Sequence, residues 1–156
     1  MIILARAGVY LSGPAGEIVP MPKREWRWVR VERLTPEKKA AIAAACKRFI
    51  AERLKPRFLP EVRPTQFNYV IDIRGKWRAS KYSFVLRYRS GFADNPGEEF
   101  DAPFARLDHL EESIGETRFD VMWHRHTGQW WRVHSAKALD EALKLIETDP
   151  VIQPHI

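Results

Sequence analysis

Cysteine is all but missing from this chain of 156 residues: Cys46 stands alone. No internal disulfide can form, which fits a reducing compartment and leads us to expect a cytoplasmic protein. Long apolar runs are missing too. None approaches the roughly 20 residues of a membrane helix, so no membrane partner is expected. The opening "MIILARAGVYLSGPAGEIVPMPK" carries no basic residue ahead of its apolar stretch, so no secretory signal is expected either. Paired cysteines at zinc spacing and H-E-x-x-H are absent, and no metal site is expected. "GPAG" (13–16) lacks the Gly-Lys-Ser/Thr of a phosphate loop. With no dinucleotide fingerprint and no nucleophile elbow, no cofactor is indicated.

Acidic residues are scarce through most of the chain and crowded in one place. Residues 22–63 hold 13 Lys/Arg against 5 Asp/Glu, and residues 64–90 hold 6 against 1. Residues 91–117 reverse the sign, with 1 against 8. Two readings follow. The basic region forms a face for a polyanion, or the two regions meet in the fold and neutralise each other. Hydrophobic residues at 45% and charged residues at 29% make the chain globular rather than disordered.

Residues 1–24 are turn-rich, with Gly8, Gly13, Pro14, Gly16, Pro20 and Pro22, and residues 1–34 read as an arm or extension. "REWRWVRVER" (24–33) alternates well enough for a strand. Residues 35–156 read as a single domain. Its clearest element is a helix with Thr35 as N-cap, Pro36 at the first position and Glu37 at the positive end of the dipole. Ile42, Cys46, Phe49, Ile50 and Leu54 form its apolar stripe, and Pro56 is expected to end it. The period then changes to two. Phe67, Tyr69, Ile71 and Ile73 are expected to share one strand face, Tyr82, Phe84, Leu86 and Tyr88 another, with a turn at Gly75. An acidic loop (91–103) precedes a strand in "FARLDHL", and Gly115 marks a further turn. "RFDVMWHR" and "QWWRVH" are the last strands. A helix capped by Ser135 follows, with Leu139, Ala142, Leu143 and Ile146 inward, and Asp149-Pro150 stops it. Strands in a run between two helices predict an α+β fold, an antiparallel sheet of about five strands with both helices on one face.

"MWHRHTGQWWRVH" (122–134) gathers three of the six tryptophans and three of the five histidines. A two-residue loop would mix tryptophan and arginine on both faces. A three-residue loop, His126-Thr127-Gly128, instead aligns Phe119, Val121, Trp123, Trp131 and Val133 as one apolar face. The outer face then holds Asp120, Met122, His124, Trp130, Arg132 and His134. Trp131 is expected inward and Trp130 outward. Asp120 would oppose His134, a candidate general-base pair with His124 nearby and Arg132 as an anion clamp. No nucleophile is evident beside it. The other reading is a binding surface of Trp130, Arg132, His124 and Arg125, extended by Arg87 and Arg89, with a nucleic acid as first candidate partner. A third is a structural or protein-interaction role, with this face covered by residues 1–34.

From the first helix onward the chain resembles a set of small bacterial proteins grouped only as a domain of unknown function. The resemblance is carried by "CKRFIAERLKPRFLPEVRPTQFNY", "FARLDHL", the hairpin with its "RHTGQWW" core, and "LKLIETDP". It covers about residues 38–150. It implies a bacterial α+β domain without an assigned reaction, and it carries over no catalytic residue. Residues 1–34 lie outside it.

Overall fold

The computed structural model describes residues 2–6, 26–30, 33–111 and 116–156. The Gly/Pro-rich stretch 7–25 and the turn expected at Gly115 lie outside the described residues. The chain divides into two compact units, residues 34–110 with 116–156, and residues 1–33 with 111–115. In the smaller, β1 (Ile2–Arg6) pairs antiparallel with β2 (Trp26–Arg30).

The larger unit begins with α1 (Pro36–Phe49), whose Thr35 hydroxyl accepts from the Lys38 N–H at 3.2 Å. A π-helical turn (Ile50–Leu54) and the short α2 (Lys55–Phe58) continue it. The helix therefore runs past Pro56 rather than ending there. The Lys55 N–H reaches back to the Ile50 carbonyl, and this wider turn makes room for a ring that would clash in a regular helix. All five residues of the expected apolar stripe are buried. Burial also pushes the Cys46 thiol up to about 12. We expect it to resist a thiol reagent in the native protein and to react once urea unfolds the chain. Fast reaction without denaturant would place it outside the core.

Five strands form one antiparallel sheet in the order β3-β4-β5-β6-β7: Asn68–Arg78, Lys81–Ser90, Glu99–His109, Phe119–His124 and Trp130–Lys137. α3 (Leu139–Thr148) closes the fold. Side chains from α1, α3 and one sheet face build a single core, including Cys46, Leu54, Tyr82, Phe84, Leu107, Phe119, Val121 and Ile146. The fold is α+β with both helices on one side of the sheet.

Four register shifts change the faces read from alternation alone. At Ile71 the register passes from Val70–Tyr88 to Asp72–Arg87, so Val70 and Ile73 are the buried pair, while Phe67 is exposed. The first two sheet strands turn at Ala79-Ser80, and Gly75 lies in mid-strand opposite Phe84. The acidic loop is shorter than expected, because β5 starts at Glu99 and carries Pro103 at a second bulge, where Phe104 is skipped. That is where a central strand tolerates proline. The third skips Val133, and the fourth lies between the Val121–His134 and Phe119–Lys137 pairs. β7 then continues through Ser135 to Lys137, and α3 starts at Leu139 with Ala138, not Ser135, as its N-cap.

Candidate functional site

The 122–134 hairpin has the expected three-residue loop. Gly128 adopts φ +80°, its N–H donates to the Arg125 carbonyl, and the Arg125 N–H donates to Gln129. Trp123 faces Trp131 and His124 faces Trp130 as the loop length requires. Beyond Trp131 the bulge intervenes. Val121 faces His134 rather than Val133. A slip of one residue reverses a side chain's face, so His134 turns to the helix side. There its Nε2 lies 2.7 Å from Asp149 at the end of α3. The Asp120–His134 pair does not form. Asp120 instead accepts from the Ala136 N–H at 3.0 Å and pairs with Arg132 at 3.4 Å. It holds Ala136 in a left-handed conformation, φ +50°, while Arg118 donates to the Ala136 carbonyl.

His134–Asp149 therefore ties β7 to α3. Burial pushes the Asp149 carboxyl up, but the Val151 N–H and His134 together outweigh it and hold the carboxyl below its ordinary 3.8. A depressed folded value means the stabilisation is present above that pH and is lost as pH falls through the folded value. We expect stability to decline in acid below about pH 4. Asp149→Asn should be less stable at neutral pH and decline less steeply. Parallel acid curves in urea titrations of both proteins would refute this role for Asp149.

The tryptophan assignment is reversed in part. Trp131, expected in the core, is 51% exposed, whereas Trp130 is half-buried. Trp131 sits on the edge strand near the hairpin tip. Arg125 lies between the two helix-side tryptophans, 5.6 Å from the Trp123 ring and 4.8 Å from the Trp131 ring. Arg125 therefore does not join the outer face.

On the outer face, the acidic segment meets the basic one across neighbouring strands. Arg89 pairs with Glu99 at 2.7 Å, and Arg87 with both Glu99 (3.1 Å) and Asp101 (3.2 Å). Lys76 reaches Asp101 at 3.0 Å. Arg89, helped by Arg87, holds the Glu99 carboxyl below its ordinary value against desolvation. For Asp101, burial pushes upward, but Lys76 and Arg87 outweigh it and the net direction is down. Arg87 and Arg89 are thus neutralised by β5, as the second reading of the charge pattern holds for this part of the sheet.

Toward the Ala79-Ser80 turn the balance changes. Arg78 and Lys81 have no carboxylate partner among the described residues. They border a depression of about 260 Å³ with Lys76, Arg106 and Trp130, over a floor that includes Val85 and Pro103. Arg106 lies over the Trp130 ring at 4.3 Å, and the His124 ring meets that indole edge-on at 4.8 Å. The turn itself carries Ala79 at φ +53°, a conformation alanine rarely adopts. Lys39 of α1 donates to the Ala79 carbonyl at 2.8 Å and holds it. Of the outer-face residues singled out in the sequence, Trp130 and His124 belong to this neighbourhood, and Arg132 is engaged by Asp120. Lys76, Arg78, Lys81 and Arg106 were missed. Arg106 had a signal, as the single cation of residues 91–117. Among the described residues, no three His, Cys, Asp or Glu side chains converge as metal ligands would.

The model of a family described as a domain of unknown function (DUF3024) matches residues 31–153. The chain belongs to that family. The match takes in all of α1, the five-stranded sheet and α3, so the depression is built entirely from the DUF3024 segment. No curated protein and no solved structure matches the chain. Among the described residues, no helix is long and apolar enough to cross a membrane.

Proposed function

We propose that the protein is a non-enzymatic binding domain that holds an anionic partner, a nucleic acid first, on the outer sheet face beside the Ala79-Ser80 turn. The observation that carries this reading is the depression where Lys76, Arg78, Lys81 and Arg106 outnumber its one acid, Asp101, and where Arg78 and Lys81 make no ion pair among the described residues. Along the same face Arg87 and Arg89 are taken by Glu99 and Asp101, so an approaching polyanion gains more here. At about 260 Å³ the depression falls below the roughly 300–1,000 Å³ that enclose drug-sized ligands, and it suits a chain laid across it better than a substrate shut inside. The enzyme reading loses its support with the Asp120–His134 pair. The bacterial cytoplasm is the proposed setting, in keeping with one buried thiol.

Fluorescence titration with a short single-stranded oligonucleotide at two salt concentrations tests the proposal. Binding should weaken as salt rises, because phosphate contacts release counterions. Arg78→Ala with Lys81→Ala should lower the salt slope by about 2 and weaken binding about tenfold. No binding at low salt, or equal affinity and slope in the double variant, sinks the proposal. A protein-interaction role has one observation in its favour. At the opposite end of the sheet Phe67 (57% exposed) and Phe92 (42%) meet edge-on at 5.8 Å without cover.

A further inference from the structure

Arg106 and Trp130 form a more deliberate arrangement than charge attraction requires. Arg106 projects from β5, where it faces Met122 on β6 and Ser83 on β4. Asp108, two residues along the same strand, takes its guanidinium in a fork, Nε to Oδ1 at 2.5 Å and Nη2 to Oδ2 at 2.8 Å. The Trp130 indole, from β7, supports the same group at 4.3 Å. Asp108 fixes the guanidinium laterally and Trp130 fixes it from one side, so the group is a planar cation with little freedom left. Its side chain is only 13% exposed, yet it lines the depression. A plain phosphate contact needs no such flattening. Stacking on a flat π system does.

The rest of the depression fits the same kind of ligand. Val85 and Pro103 give an apolar floor, Arg78 and Lys81 add cations that make no ion pair among the described residues, and the one acid of the lining, Asp101, is taken up by Lys76 and Arg87. A ligand that meets an apolar floor, a flat cationic wall and a cationic rim together is itself flat, aromatic and joined to an anion. A nucleotide unit of a single strand has this combination. A duplex does not offer it, because its base faces are already stacked. We infer that the depression seats one nucleobase of a single-stranded nucleic acid. The Arg106–Trp130 pair is the stacking platform, and Arg78 and Lys81 meet the flanking phosphates. This inference rests on the binding reading above and adds that the bases, not only the phosphates, are held.

The two are separable by experiment. The unaltered chain is titrated at one low salt concentration with four short probes of matched phosphate number: single-stranded DNA, single-stranded RNA, duplex DNA, and an abasic single strand. At least one base-bearing single strand should bind about tenfold tighter than the abasic strand and the duplex, the order of effect of one stacked base. Whichever of DNA or RNA binds more tightly names the source of the base. Arg106→Lys keeps the charge and loses the plane. It should erase the preference over the abasic strand and leave the salt slope unchanged. Equal binding of abasic and base-bearing strands overturns the base seat and leaves the polyanion reading standing. Duplex binding as tight as the single strands also overturns the seat. Failure of all four probes overturns both. If Arg106→Lys does not fold, the base-bearing to abasic ratio on the unaltered chain decides alone.

Discussion

Phe84→Ala is expected to cost about 3–5 kcal/mol of folding stability, the range for emptying a buried aromatic site. Phe84 is fully buried and lies edge-on to Phe49 at 6.3 Å and to Tyr82 at 5.3 Å, with Phe104 at 6.3 Å. Its cross-strand neighbours are small: Gly75 on β3 and Ala105 on β5. The ring therefore fills space that neither flanking strand supplies, and little nearby can collapse into the void. That places the cost toward the upper end. For a chain of this size each kcal/mol lowers Tm by roughly 2–4 °C, so a drop of about 10 °C or more should appear in a thermal melt. Phe84→Leu refills part of the volume and should cost clearly less. A loss under about 1 kcal/mol for the alanine variant would mean that the core is not centred on this ring.

Gly75→Ala is expected to destabilise by about 1–3 kcal/mol, although alanine suits a strand better than glycine. The added methyl would overlap the Tyr82 hydroxyl and two of its ring carbons. Tyr82 cannot swing aside. It is wedged edge-on between Trp77 at 5.2 Å and Phe84 at 5.3 Å. Trp77 is itself fixed by donating to the Lys39 carbonyl at 3.1 Å. The Tyr82 hydroxyl is buried with no partner among the described residues, and burial pushes its ionisation upward. An unsatisfied buried hydroxyl carries a desolvation cost. Tyr82→Phe should therefore be neutral or stabilise by up to about 1 kcal/mol. In that background Gly75→Ala should cost at least about 0.5 kcal/mol less, because part of the overlap is gone. Equal costs of Gly75→Ala in both backgrounds, measured by urea titration, would clear the hydroxyl of any part in the clash.

Much of this architecture could be read from local pattern. The Thr35 cap, the five-residue stripe of α1, the inward set of α3 and the alternation of β4 all stand as expected, because each depends on spacing within one element. So does the hairpin loop, where Gly128 supplies the one left-handed residue that a three-residue turn needs. The misplacements share a different origin. Gly75 looked like a turn because glycine is usually conformational punctuation. Here it is a clearance for Tyr82, a residue on the next strand. Pro56 looked like a stop because a regular helix cannot hold it, and the π-helical turn before it was not written in the apolar spacing.

The candidate site was less legible, since its parts come from four strands. The sequence alone determined that residues 118–134 form a hairpin, that Trp130 and His124 face each other across it, and that a basic region (22–90) is followed by an acidic one (91–117). Only the tertiary structure decided which charges cancel. Glu99 and Asp101 neutralise Arg87 and Arg89 because β5 lies beside β4, while Arg78 and Lys81 stand beyond their reach. The bulge at Val133 likewise turned His134 away from Asp120 and toward Asp149. Local spacing fixes what a single element can do. A bulge, an ion pair between strands, or a ring stacked under an arginine is selected by the energy of contacts between elements, and that information appears only when the elements meet.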